Sequence, residues 1–189
     1  EQRESVHFFY TLPYSKNKAL VETTWISMMN GDTEKDYDAQ IKDYVENHLN
    51  LKDYKITYKE EGAIPLFHTL NQYEKNIMNI GTAGNMTRLS TGYTFLNIQE
   101  QSKLIRENIE NINKIKKFEI EKKYHFLDKI FLKVIKRNSK LMPDIFFKMF
   151  DGSTSTVIKF LSNKSNILED FSIILKMPKW IFIKALFRN

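Results

Sequence analysis

From Val6 the chain alternates apolar and polar positions with a period of two. Val6, Phe8, Tyr10 and Leu12 fall on one side and His7, Phe9 and Thr11 on the other, before PYSKNK supplies a turn and ALVETTWIS (19–27) alternates again. This pattern predicts a β-hairpin. Ile41, Val45 and Leu49 then recur at helical spacing, with Asp32 or Thr33 available as a cap. YKITYKE (54–60) alternates as a third strand, so an antiparallel sheet is expected across residues 5–66. KNIMNIG (75–81) is a short apolar run that stops at glycine, as a strand does before a functional turn. From Gly92 the period lengthens to that of a helix. Ile98, Ile105, Ile109 and Ile112 mark one helix and Tyr124, Leu127, Phe131 and Val134 the next, and Pro143 and FDGSTS punctuate shorter ones up to the tail MPKWIFIKALFRN. The expected fold class is therefore α+β, divided into a sheet region (1–74), a strand–helix piece (75–115) and a helical carboxyl region (116–189).

Composition narrows the chemistry. With 42% hydrophobic and 13% aromatic residues the chain is a folding one. It has no cysteine, which excludes disulfides, thiolate metal sites and cysteine nucleophiles. The four histidines (His7, His48, His68, His125) show no metal-ligand spacing, and no metal is expected. No apolar run reaches the length of a bilayer-spanning helix. The net charge of +6 conceals an asymmetry: residues 1–102 hold 10 Lys and Arg against 14 Asp and Glu, whereas residues 103–189 hold 19 against 9. A basic carboxyl half in which Phe146, Phe147, Phe150, Trp180, Ile181, Phe182 and Phe187 are interleaved with lysines suits an anionic membrane surface. The alternative is a helical subdomain with those stripes buried. No nucleic-acid motif accompanies the charge, so nucleic acid is not an expected partner.

The stretch NIGTAGNMTRLSTGYTF (79–95) combines bare backbone with hydroxyls. Gly81 and Gly84 would let a ligand approach closely, and Ser90 or Thr91 would cap a helix whose first turn is Gly92, Tyr93 and Thr94. Free amides at such a helix start favour an anion. An ordinary tight connection is the plainer explanation.

Four segments, FFYTLPYSKNKALVETTWIS, EEGAIPL, IGTAGNMTRLSTGYTF and MPKWIFIKALF, resemble in order and spacing the lycopene beta-cyclase family of carotenoid biosynthesis. The resemblance implies a flavoprotein with a Rossmann-type FAD domain and a separate substrate domain. Gly81, Ala83, Gly84, Thr91, Gly92 and Tyr93 match the family's G-x-A-G…T-G-Y segment, which lies against the flavin. It further implies a redox-neutral cyclisation of lycopene end groups to beta-ionone rings with reduced FAD, NAD(P)H being the reductant, in a bacterial cytoplasmic enzyme docked peripherally on the membrane. A related implication is an isoprenoid reductase or hydroxylase of the same flavoprotein class; a non-enzymatic, membrane-binding helical module is the alternative outside it. The family opens on a G-x-G-x-x-G turn, and the six glycines of this chain have no such spacing. The expectation is a carboxyl-terminal portion that needs an amino-terminal FAD-binding half and is inactive without it.

Protonating an alkene requires a carboxylic acid in apolar surroundings. Glu22 shares a strand face with Leu20, Thr24 and Ile26 and matches the family's V-E-x-T glutamate, although Thr23 stands where many members carry a second acid. Glu60 shares strand parity with Tyr54, Ile56 and Tyr58, and with Gly62 and Pro65 it matches E-x-G-x-x-P. Glu22 and Glu60 are the candidate acid/base pair. Glu61, of opposite parity, is expected to face solvent, and Phe8, Phe9, Tyr10 and Trp25 are expected in the core.

Overall fold

The computed structural model describes residues 5–27, 36–68, 77–114 and 120–187. The chain forms two compact units, one of residues 1–61 with 139–143, the other of residues 62–138 with 144–189. The expected boundaries at 74/75 and 115/116, like the expected caps Asp32 and Thr33, lie outside the described residues.

The first unit is built on a hairpin. Strand β1 (Val6–Ser15) pairs antiparallel with β2 (Lys18–Ile26), with Lys16 and Asn17 at the turn. The register sets Val6 opposite Ile26, Phe8 opposite Thr24, Tyr10 opposite Glu22 and Leu12 opposite Leu20, so these eight side chains share one face. The other face is covered by helix α1 (Tyr37–Asp43), which continues as a wider turn through His48. Phe9 stacks on Tyr44 at 4.2 Å, and His7 stacks on Trp25 at 4.0 Å. Gln40 joins the helix to the strand: its Oε1 accepts from Thr23 Oγ1 and Trp25 Nε1, both at 2.9 Å, and its Nε2 donates to Asp36. Phe8, Phe9, Tyr10 and Trp25 are all partly or well exposed, so the expectation that they form the core is not met. Buried Val6 and Ile26 close the end of the hairpin instead.

The expected third strand does not form: residues 54–60 are irregular, and Tyr54, Ile56 and Tyr58 are exposed. Side chains tether this segment where a ladder would have. Tyr54 donates to Glu46 at 3.3 Å, and Lys59 pairs with Asp38 at 2.6 Å. Among the described residues the sheet is therefore a two-stranded hairpin rather than one reaching residue 66. Residues 77–80 are likewise irregular, which overturns the strand expected there.

The second unit is helical: α2 (Phe95–Glu107) with a 3₁₀ turn after it at Ile109–Lys114, α3 (Lys122–Arg137), α4 (Met142–Phe150), α5 (Thr154–Leu161), α6 (Ile167–Ile174) and α7 (Lys179–Phe187). Pro143 sits in the first turn of α4, where its missing N–H costs nothing. The apolar face of α3 meets the expected spacing, with Tyr124, Phe131 and Val134 buried. Phe131 packs edge-on against Phe146 at 5.3 Å and near Phe182 at 5.8 Å. A capping box closes the start of α6, with Asn166 and Glu169 bonding each other's backbone amides.

Candidate functional site

On the first unit each candidate carboxylate accepts from a tyrosine. Tyr10 is the cross-strand partner of Glu22, and its hydroxyl donates to Glu22 Oε2. Burial raises the Tyr10 pKa most, followed by the hydrogen bond to Glu22 and the negative charges of Glu22, Glu60 and Tyr14. Glu22 is half-exposed on the face opposite α1, beside Phe8, Leu12 and Leu20. Glu60 is exposed; Tyr58 donates to its Oε2 at 2.6 Å. The inward aromatic face expected to carry it is thus absent, because the strand that would define the face is absent. Glu61 is exposed, as its parity suggested.

On the second unit the loop from Gly81 to Thr94 is held by buried polar side chains. Arg88 is 1% exposed and Asp128 of α3 2%. The guanidinium donates to Asp128 Oδ1 from Nη2 at 2.8 Å and to both carboxylate oxygens from Nε, while Nη1 donates to the Phe160 carbonyl at 2.5 Å and to Asn163 Oδ1 at 3.1 Å. It lies 4.8 Å from the Tyr124 ring centroid and 4.9 Å from that of Phe160. Asp128 also accepts the Leu89 amide at 3.0 Å. Two amides buried on α2 complete the frame. Asn97 donates to the Met86 carbonyl, and Gln101 Oε1 accepts the Gly81 amide, both at 2.9 Å.

Gly84 is required by the folding of this loop itself. A Cβ at Gly84 would lie 2.7 Å from the Asn79 carbonyl oxygen and 2.9 Å from Gln101 Nε2, so the space left free is occupied by the chain itself. Gly92 has φ +74°, outside the helical region, and cannot begin the helix as expected. The helix starts at Phe95 with Thr94 in the cap position, and neither Ser90 nor Thr91 caps it. Thr94 Oγ1 donates to the Gly92 carbonyl, and Thr91 Oγ1 accepts the Tyr93 amide. Burial raises the pKa of the Tyr93 phenol, against a smaller opposing effect of the Leu96 backbone at the helix start. Ser90 Oγ is buried with no partner among the described residues. Ala83 is exposed, and Thr91, Gly92 and Tyr93 are half-buried.

A family model described as Lycopene cyclase protein matches residues 1–186, nearly the whole chain. The chain belongs to the lycopene cyclase family. Its place is thereby in carotenoid biosynthesis, among carotenoid-cyclase-like enzymes. No curated protein and no solved structure matches the chain.

Within this family member, sequence reasoning missed Tyr10 as a site residue and Arg88, Asp128, Asn97 and Gln101 as the frame of the loop. One signal was present: Arg88 is the only charged residue between positions 76 and 99. The Tyr10–Glu22 pair left none, because a turn at Lys16 and Asn17 alone would set Tyr10 opposite Thr23, and a register shift between Pro13 and Ser15 brings Glu22 there instead. His68 and His125 are also less scattered than their spacing suggested: Nε2 of the first lies 3.1 Å from Nδ1 of the second. Burial and the His125 charge lower the His68 pKa, against a smaller opposing effect of Asp128.

Proposed function

We propose that the chain is the substrate-handling, carboxyl-terminal part of a flavin-dependent lycopene beta-cyclase. The observation that carries this is the Glu22 carboxylate, set on an apolar-flanked hairpin face and held there by Tyr10. Closing a beta-ionone ring needs a proton added to a terminal alkene, attack of the neighbouring alkene on the tertiary cation, and loss of a ring proton, with no net redox change. Glu22 would give the first proton, and Glu60, within electrostatic range of the same phenol, would be the second carboxylate.

The loop at 81–94 fits the edge of a flat ring system in its donor set. The half-buried Thr91, Gly92 and Tyr93 offer polar surface, the Ser90 hydroxyl is buried with no partner among the described residues, and Gly81, Ala83 and Gly84 shape the turn. These residues would hold the flavin. What FAD supplies when bound and reduced by NAD(P)H is negative charge for the developing cation. The amino-terminal half that the family's glycine-rich turn requires would be a partner of this chain.

In the full-length protein, an acyclic carotenoid should be cyclised with reduced flavin and without stoichiometric consumption of NAD(P)H or oxygen. Consumption of either in proportion to product would favour a reductase or hydroxylase instead. Absence of any ring-closed product would reject the cyclase.

An apolar substrate resides in the bilayer, and the second unit carries surface suited to reach it. Phe147 is 75%, Leu168 79%, Trp180 76% and Phe187 84% exposed, and Lys179 and Lys184 are exposed as well. Phe146 does not join them, because it is packed on Phe131. Among the described residues no helix is long and apolar enough to cross a membrane. The full-length protein, peripheral and on the cytoplasmic side, should co-sediment with anionic vesicles and release at high salt. Equal binding to neutral vesicles would remove the lysines' role, and no binding would remove the surface.

A further inference from the structure

Resting on the cyclase reading above, we infer that Tyr10 is a positioning residue: its hydroxyl occupies Oε2 of Glu22, so the proton that Glu22 exchanges with the substrate is carried on Oε1. A free carboxyl group has two equivalent oxygens and can protonate on either. Here they are made different. The antiparallel register places Tyr10 directly opposite Glu22, and the phenol donates to Oε2 across the strands. The same face presents Phe8, Leu12 and Leu20, so the half-exposed carboxyl group is flanked by apolar side chains along the strands.

The phenol is suited to this task because it keeps its proton. Burial raises its pKa first, and the bond to Glu22 and the charges of Glu22, Glu60 and Tyr14 add to the rise. A phenol with a raised pKa stays a donor through neutral and mildly alkaline pH, which fits a fixed donor and not a base. In the reaction the Glu22 Oε1–H bond breaks as a C–H bond forms at the alkene terminus. The electron pair of the alkene moves to that new bond, and the positive charge is left on the tertiary carbon. The π electrons of the neighbouring alkene then form the ring C–C bond to that carbon and leave the charge on the ring, where a C–H bond breaks, its electrons form the ring double bond, and the proton returns to a carboxylate. Tyr10 gains and loses nothing. Its hydrogen bond strengthens as Glu22 becomes charged, because charge-assisted bonds are about twice as strong as neutral ones. That places part of its stabilisation in the transition state rather than the ground state.

The test is Tyr10→Phe in the full-length protein, which keeps the ring for strand pairing and removes only the hydroxyl. kcat for carotenoid cyclisation should fall roughly 10- to 100-fold with KM little changed. In a Glu22→Gln background the same change should cost nothing more, since the two groups act as one unit. A Tyr10→Phe variant with wild-type kcat, beside an inactive Glu22→Gln, would overturn the positioning role and leave the cyclase reading standing. An active Glu22→Gln would overturn the inference by removing Glu22 as the acid, whereas the cyclase reading beneath it fails only if no ring-closed product forms. A measurement on the unaltered chain covers the case in which Tyr10→Phe does not fold. With tyrosine labelled at Cζ with ¹³C, Tyr10 should remain protonated at a pH where ordinary tyrosines, with pKa about 10, are half ionised. Ionisation alongside the others would refute the inference.

Discussion

Glu22→Gln should lower turnover of the full-length cyclase by roughly 100-fold or more while leaving the hairpin intact. Glutamine has the shape of glutamate, and its carbonyl can still accept from the Tyr10 hydroxyl that now bonds Oε2. The cross-strand pair survives and only the transferable proton is lost. Melting temperature and flavin binding should therefore change little, which separates chemistry from folding. Glu61→Gln provides the matched control: Glu61 is exposed, and its replacement should be nearly silent. If Glu22→Gln turns over at close to the original rate, Glu60 becomes the first candidate acid. If Glu60→Gln is then active as well, protonation by a carboxylate of this hairpin region is wrong.

How much of this was legible in the sequence depends on where the determining interactions lie. The hairpin was, because a period of two and a turn are local properties, and parity alone placed Glu22 opposite the Trp25 face. Helix α3 was legible for the same reason, its apolar stripe falling at helical spacing. Residues 54–60 were misread because they carry the alternation of a strand without a partner to pair with, and Tyr54 and Lys59 are satisfied by single side chains of the α1 region. Alternation reports which side a residue would face in a sheet, not that the sheet exists. The glycine loop was legible only in part: its bareness suggested a ligand, and nothing local shows that Gly84 is also required by the Asn79 carbonyl and by the amide of Gln101, 17 residues further along, that crowd it. Buried polar frames of this kind leave no periodic trace. Asn97 and Gln101 sit on the buried side of α2, where an apolar stripe would ordinarily be expected, because the loop beneath them offers carbonyls and amides rather than carbon.

The same frame sets the largest expected effect on stability. Arg88→Met should destabilise the chain by roughly 3–5 kcal/mol, since it leaves the Asp128 carboxylate buried and charged without its guanidinium. Water cannot readily take the place of the lost charge: the guanidinium lies between the Tyr124 and Phe160 rings, and Asp128 retains the Leu89 amide as a partner. The Phe160 carbonyl and Asn163 Oδ1 lose a donor at the same time. At about 2–4 °C per kcal/mol for a chain of this size, the thermal midpoint should fall by roughly 10 °C. Asp128→Asn should also destabilise, because Arg88 would then be the unpaired buried charge. The double change Arg88→Met with Asp128→Leu should recover part of the loss, having removed both charges, but not all of it, because the Leu89 amide and the Phe160 carbonyl stay unsatisfied. Thermal and urea melts of the three variants decide the matter. A midpoint for Arg88→Met within about 2 °C of the unaltered chain would mean that this pair does not hold the loop, and that the Asn97 and Gln101 bonds suffice to fix it.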